Sequence, residues 1–102
     1  MDLEQRFSDL VDELCSRPGV VPPGGNGFGS HALKVDGSIF AMLVRGHLVV
    51  KLPSNRVAEL VAAGTGGPFD ANKGRAMKEW LTVLDESTWD ALAVEAWEYV
   101  RH

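Results

Sequence analysis

The order of the strands follows from residues 31–52, which read HALKVDGSIFAMLVRGHLVVKL. The dipeptide Asp36-Gly37 separates two runs of β-prone residues. Asp-Gly is a strong signal for a two-residue hairpin, because both positions of that turn need positive φ. A second break falls at Arg45-Gly46 or at Gly46-His47. The pattern predicts an antiparallel meander of three strands, over residues 31–35, 38–44 and 47–52.

Side chains of directly paired residues share one face of a sheet, so the turns decide which residues point together. Both positions of the second turn predict the same two faces. The core face, which helices should cover, is wholly apolar and carries Ile39, Ala41, Leu43, Leu48, Val50 and Leu52. The second face, on the other side of the sheet, carries Phe40, Met42, Val44, His47, Val49 and Lys51. Because the second face is too apolar for a solvated surface, we expect something to cover it.

The spacing of apolar residues predicts one helix before the meander in the sequence and another after it. Residues 2–16 place Leu3, Phe7, Leu10, Val11 and Leu14 on one side of a helix, and Pro18-Gly19 ends it. The segment Val20 to Gly29, rich in proline and glycine, is then expected to be a loop. Residues 54–63 predict a second helix, which Ser54 caps and Gly64 ends.

The last third of the chain predicts a loop, a strand and a helix. Glycines between Gly64 and Glu79 favour a loop with brief extended pieces, and residues 80–84 have strand composition. A helix over residues 88–101 is capped by Ser87. Its apolar stripe consists of Trp89, Leu92, Ala93, Ala96, Trp97 and Val100.

The predicted fold class is α/β in the α+β sense. It is a two-layer sandwich with a mainly antiparallel sheet and the order α-β-β-β-α-β-α, with one or two strands before the last helix. Residues 1–102 are expected to form a single domain, because a composition of 45% hydrophobic and 24% charged residues is typical of globular domains of this length.

Several strings occur in a characteristic order, and together they cover roughly residues 5–100. They are Gly27-Phe28-Gly29, residues 36–42, residues 46–52, Phe69-Asp70 and residues 73–80, followed by the tryptophan-containing last helix. In this order they resemble the N-terminal domain of the TfoX/Sxy family of competence regulators. The resemblance implies a fold of helix, three strands, helix, two strands and helix, and a regulatory role without an established reaction.

Two features set the sequence apart from that family pattern. Many relatives read Met-Phe-Gly-Gly where this chain has Asn26-Gly27-Phe28-Gly29-Ser30. Competence-linked relatives also carry a second, C-terminal domain, so the resemblance here is to the N-terminal domain only.

The sequence carries no catalytic or metal-binding pattern, and we expect no enzyme activity, no catalytic residues, no cofactor and no metal. The glycines of residues 24–29 lead into a strand without a following Gly-Lys-Ser/Thr, unlike a phosphate loop or a dinucleotide fingerprint. The spacing of His31, His47, His102 and Cys15 is not that of zinc ligands. Ser30 and His31 are neighbours before a strand and would point to opposite faces, which prevents a nucleophile–base pair.

The net charge and the number of cysteines limit the classes of partner and the cellular compartment that we expect. The net charge of −4 gives no support to general nucleic-acid binding through phosphates. No apolar run approaches the roughly 18 residues of a membrane span, and the first residues do not resemble a secretion signal. The single cysteine, Cys15, suits a reducing compartment. We expect a cytoplasmic protein that does not enter a membrane.

Two surfaces are candidate sites. The first is the second face, where Phe40, Met42, Val44 and Val49 are predicted to form an interface with another protein or in a homodimer. The second is a basic loop, where Lys73, Arg75 and Lys78 together with Lys51 would bind an anionic ligand, since a guanidinium group offers a bidentate fork. A protein-binding regulatory module is the leading expectation, and a small-molecule or anion-binding regulator is the alternative. If residues 64–77 fold over the second face with Phe69 and Met77 as plugs, the chain would be monomeric with Lys51 near Arg75.

Overall fold

The computed structural model describes residues 3–21, 32–70 and 76–101, and within these it shows three α-helices and a six-stranded sheet. The helices are α1 (Leu3–Leu14), α2 (Ser54–Ala62) and α3 (Trp89–Val100), with a short 3-10 helix (Glu86–Thr88) before α3. The strands are β1 (Val20–Val21), β2 (Ala32–Val35), β3 (Ser38–Val44), β4 (His47–Lys51), β5 (Gly66–Asp70) and β6 (Ala76–Val83). The predicted α+β fold class and element order are confirmed, and both strands before the last helix are present.

All pairings in the sheet are antiparallel, in the order β1-β2-β3-β4-β6-β5. The predicted meander is formed by β2, β3 and β4. Asp36 and Gly37 occupy the first turn with φ of 52° and 87°. The second turn is Arg45-Gly46, with φ of 51° and 81°, and it brings Val44 opposite His47. Positive φ at both positions of each turn is the geometry that an Asp-Gly hairpin predicts.

Two local predictions were wrong. The stretch from Gly64 to Glu79 was predicted as a loop, but it contains β5 and the first half of β6. The register of this pair is irregular, since Pro68 pairs with Leu81 but the next residue, Phe69, pairs with Met77. Apolar and polar residues therefore do not alternate regularly along β5 and β6. The predicted loop after Pro18-Gly19 begins instead with β1, which pairs with the end of β2.

The helix caps also differ from the prediction. Pro53 occupies the N-cap position of α2, and Ser54 is already the first helical residue. Before α3, the Asp85 carboxylate accepts the backbone N–H of Ser87 and caps the 3-10 helix, whereas the N-cap residue of α3 is Thr88 and not the predicted Ser87. Gly64 follows α2 with a φ of 80°, as predicted for a residue that ends a helix.

One apolar core lies between the helices and the core face of the sheet. Its members from the helices are Phe7, Leu10 and Leu14 of α1, Val57 and Leu60 of α2, and Trp89, Leu92, Ala93, Ala96 and Trp97 of α3. From the sheet it takes Leu33, Val35, Phe40, Ala41, Leu48, Val50, Leu81 and Val83, with Leu52 just after β4. Because all three helices contribute to the same core, they form one layer on one side of the sheet.

A β-bulge in β3 reverses the predicted faces of two residues. Leu33 pairs with Ala41, whereas the next residue, Lys34, pairs with Ile39, so Phe40 is an extra residue in β3. Phe40 is 0% exposed and belongs to the core, and Ile39 is half-buried opposite Lys34. The predictions of Phe40 on the second face and Ile39 on the core face were wrong, because a bulge shifts the alternation of a strand by one residue.

Ion pairs connect elements within the helical layer. Arg6 of α1 lies 3.8 Å from Glu86 and 3.4 Å from Asp90. Arg56 of α2 binds Glu95 of α3 at 2.8 Å and also Glu59. The hydrogen bonds to these two carboxylates raise the pKa of Arg56 above its ordinary value. The helices are therefore joined at their polar rims as well as through the core.

Candidate functional site

With the bulge taken into account, the second face consists of rows of paired residues that cross the sheet. The central row runs over five strands and consists of Ala32, Met42, Val49, Thr82 and Gly67. Nearer the Arg45-Gly46 turn lies the pair Val44 and His47, and on the opposite side lies the pair Lys51 and Trp80. Towards the β1 edge lies the row Val21, Lys34 and Ile39. The second face thus combines an apolar centre with basic residues around it.

The centre of the second face is already shielded within a single chain. Val49 is 1% exposed and Ala32 is buried, although neither belongs to the core under the helices. Exposed apolar surface lies at the border instead. Met42, Val44 and Ile39 are half-buried, and Val21 is 53% exposed. A partner on this side would therefore contact the border residues and would not contact Val49.

The charges on the second face have one sign. Lys34 and Lys51 are the charged members of the paired rows, with His47 beside them, and none of the described residues in these rows is acidic. Neither lysine has a carboxylate of the described residues within ion-pair distance. Acidic side chains lie in the helical layer, at Asp9, Asp12, Glu13, Glu59, Glu95 and Glu98. In a chain with a net charge of −4, these paired rows are therefore basic, and Glu79 of β6 lines a pocket together with Lys51.

Aromatic rings hold Lys51 in position. The Lys51 Nζ lies 5.8 Å from the centroid of the Trp80 ring, within the range of a cation–π interaction. The Trp80 ring in turn contacts Phe69, with 6.4 Å between the ring centroids. Because Lys51 and Trp80 are directly paired across β4 and β6, the sheet register itself sets this contact.

A shallow pocket opens where the ends of β4, β6 and α3 meet. Its volume is about 250 Å³, and Ser38, Lys51, Glu79, Tyr99 and Val100 line it. The Tyr99 hydroxyl donates a hydrogen bond of 3.1 Å to Glu79. This hydrogen bond raises the pKa of Tyr99 above its ordinary value. The pocket offers one ammonium group, one carboxylate and two hydroxyl groups to a small polar molecule.

The predicted site residues have different outcomes. The structure brings Met42, Val44, Val49 and Lys51 onto one face, as the alternation predicted, and moves Phe40 into the core. Lys78 is exposed on β6, two residues before Trp80. Lys73 and Arg75 lie outside the described residues, whereas residues 76–78 of the predicted basic loop belong to β6. The predicted interface and part of the predicted basic site therefore share one side of the sheet.

Four residues near the site were missed as candidates from the sequence. Trp80 was predicted only as part of a strand. Its contact with Lys51 depends on the pairing of β4 with β6, which no local sequence pattern predicts. Glu79 and Tyr99 are 20 positions apart, and only the packing of α3 against the sheet brings them together. Lys34 could have been placed on the second face by alternation in the first strand.

Comparison of this chain with known proteins gives no match. No model of a known protein family, no curated protein and no solved structure matches this chain.

In the described part of the chain, no helix has the length and apolar character needed to span a membrane. Residues 3–21, 32–70 and 76–101 also bring together no group of three or more His, Cys, Asp and Glu side chains that could hold a metal ion.

Proposed function

We propose that this chain is a non-enzymatic, protein-binding regulatory module whose second face takes an acidic segment of a partner protein. The observation that carries the proposal is the composition of that face. Half-buried apolar side chains at Met42, Val44 and Ile39 alternate with the cations Lys34 and Lys51, and the paired rows contain no described acidic residue. Complementary charge guides a partner to a surface, and half-buried apolar side chains give the contact its affinity.

The edges of the sheet support a contact through the face. The edge strand β5 contains Pro68, which cannot donate a backbone hydrogen bond to an added strand. The other edge strand, β1, has only two residues. Strand addition is therefore disfavoured at both ends of the sheet, which leaves the border residues of the second face as the surface for a contact.

A small-molecule or anion-binding role is the second candidate. It is favoured by the pocket of about 250 Å³ in which Lys51 and Glu79 both take part. The cation and the carboxylate form no ion pair with each other, so each retains polar capacity for a bound molecule. A small zwitterion or an anion would suit this pocket, and the predicted basic residues Lys73 and Arg75 lie outside the described residues.

The wider assignments belong to the same proposal. The motif order from Gly27 to Trp80 supports membership of the TfoX N-terminal-like proteins, with the regulatory role that the resemblance implies. The single cysteine, Cys15, supports a cytoplasmic location. No set of nucleophile, base and orienting group has emerged from the sequence or from the described residues, and this favours a binding role over a catalytic one.

Fluorescence anisotropy with two matched peptides tests the acidic-partner proposal. One labelled peptide combines Asp and Glu with Leu and Phe, and the other has every acid replaced by Lys. We expect the chain to bind the acidic peptide, with an affinity that falls as salt is added, and to bind the basic peptide far more weakly. Equal affinity for both peptides, or no binding of either, overturns the proposal.

The variants Met42→Glu and Met42→Lys locate the contact. Both place a charge at the same half-buried position, but only glutamate repels an acidic partner. We expect Met42→Glu to weaken binding of the acidic peptide by at least about tenfold and Met42→Lys to retain it. Light scattering is measured in parallel. A wild-type dimer that Met42→Glu converts to a folded monomer would instead identify a second copy as the occupant of the face.

A further inference from the structure

Two arginines stack against one tryptophan on the helical side of the molecule, away from the second face. Arg17 follows α1, and Arg101 is the C-cap residue of α3. Their guanidinium carbons lie 5.1 Å and 4.5 Å from the centroid of the Trp97 ring. The two cations are therefore no further apart than the sum of these distances, although they are 84 positions apart in the sequence.

The ring that both arginines contact is fixed. Trp97 is 5% exposed and belongs to the core, and its indole N–H donates a hydrogen bond of 3.1 Å to the carbonyl oxygen of Pro18. A guanidinium group that stacks on an aromatic ring keeps its N–H edge free to donate. The contact with Trp97 thus orders both arginine forks before any ligand arrives, which lowers the entropic cost of binding.

Neither guanidinium group has an acceptor within the described part of the chain. Arg6 and Arg56 each bind two carboxylates, whereas Arg17 and Arg101 form no ion pair and no side-chain hydrogen bond among the described residues. Arg17 is half-buried and Arg101 is exposed. Two cations on one ring, with no acceptor among the described residues, are an unusual feature in a chain with a net charge of −4.

The ends of the helices account for only part of this arrangement. Both α1 and α3 end near these residues, and the negative ends of helix dipoles favour cations. Lysines would satisfy the dipoles equally well. Two stacked forks whose donors have no acceptor among the described residues match a ligand with several oxygen acceptors, because a phosphate group can accept paired hydrogen bonds from more than one arginine.

We propose that Arg17 and Arg101 form a binding site for a phosphate monoester, with Trp97 as the platform that holds both forks. The doubly charged phosphate would sit between the two guanidinium groups and accept hydrogen bonds from each. The phosphate could belong to a small phosphorylated metabolite or to a phosphorylated side chain of a protein, and the same two forks would bind either.

Nuclear magnetic resonance of the three indole N–H groups tests this site, with inorganic phosphate, free phosphoserine and a phosphoserine peptide as the probes at constant ionic strength. We expect a saturable shift of the Trp97 indole signal, while the signal of Trp89 stays in place as an internal control. A peptide that binds at least about tenfold more tightly than free phosphoserine assigns the site to a protein ligand, and equal affinities assign it to a small molecule. Both results support the site, and shifts that do not saturate overturn it.

A double variant with the same net charge separates a built site from general attraction. In Arg17→Lys/Arg101→Lys the positive charge at the helix ends is kept, but the forks and their stacking are lost. We expect the affinity for phosphoserine to fall at least about tenfold, because an ammonium group is a point charge that cannot donate a paired fork. If the double lysine variant binds as tightly as the wild type, the proposal is refuted.

Discussion

The hydroxyl of Tyr99 donates a hydrogen bond of 3.1 Å to Glu79 Oε1 and thereby connects the last turn of α3 to β6. The bond requires the protonated hydroxyl, and the negative charge of Glu79 opposes formation of a tyrosinate beside it. Both effects raise the pKa of Tyr99, with the hydrogen bond as the larger cause.

The first prediction concerns this pKa. Tyr99 is the single tyrosine of the chain, so ultraviolet absorbance of tyrosinate reports it alone. We expect Glu79→Ala to lower the pKa of Tyr99 towards the ordinary value. Because the pKa is raised in the folded state, the contact stabilises the fold below the pKa of an unfolded tyrosine, and this contribution is lost as the pH rises through the folded pKa. Identical titration curves for both proteins would contradict the contact.

The second prediction tests the bulge in β3. Phe40 lies in the core and Ile39 lies opposite Lys34, so truncation of these neighbours should have unequal effects. We expect Phe40→Ala to lower the free energy of unfolding by about 3–5 kcal/mol. Ile39→Ala should cost about 1 kcal/mol, a typical value for a partly exposed side chain. Urea unfolding measures both free energies. A larger loss of stability for Ile39→Ala would show that Ile39 lies in the core and that β3 alternates regularly without a bulge.

The third prediction compares two neighbouring glycines of β5. A Cβ atom at Gly66 would lie 2.6 Å from Leu81 Cδ1 and 2.8 Å from the backbone oxygen of Thr82, whereas at Gly67 it would meet Leu84 Cδ1 at 3.7 Å. We expect Gly66→Ala to destabilise the fold by about 1–3 kcal/mol, since the backbone oxygen cannot move aside. Gly67→Ala should change stability by less than about 0.5 kcal/mol. Thermal unfolding of the two variants measures the difference, and equal melting temperatures would show that β5 lies further from β6.

The fourth prediction separates the shielded centre of the second face from its border. Val49→Glu places a charge at a position that is 1% exposed, and an unpaired buried charge should cost about 3 kcal/mol or more. Met42→Glu changes a half-buried neighbour in the same row, and it should cost about 1 kcal/mol. Circular dichroism with urea unfolding measures both.

The comparison of Val49 with Met42 also decides how the face can be used. If Val49→Glu is tolerated as well as Met42→Glu, the centre is open to solvent and a partner could occupy all of it. A selective loss for Val49→Glu restricts any partner to the border residues.

The meander was predictable because its signals are local. Asp36-Gly37 and Arg45-Gly46 fix two tight turns, and the apolar stripe of α3 specifies which side of that helix packs. The pairing of β4 with β6 is different in kind. It joins residues such as Val49 and Thr82, and its register depends on how α2 and β5 return the chain to the sheet.

The bulge could not be predicted by counting from the turns. Alternation predicts opposite faces for Phe40 and Ala41, yet both lie in the core, because the core can hold the phenylalanine ring at the expense of one pairing. For the candidate site, the sequence correctly grouped Met42, Val44 and Lys51. It did not provide the contact between Glu79 and Tyr99, which arises only when α3 packs on the sheet.

The extra residue at Phe40 also makes this part of the chain tolerant of changes in length. The register between β3 and β4 is set downstream of the bulge, where Ala41 to Val44 pair with Val50 to His47. An insertion of one residue between Gly37 and Phe40 can therefore be absorbed by enlarging the bulge, whereas a deletion would remove the bulge and turn Phe40 to the second face; in both cases the pairing beyond the bulge is undisturbed. Homologous sequences can differ in length here and still share the same sheet, provided that an apolar ring continues to fill the place of Phe40.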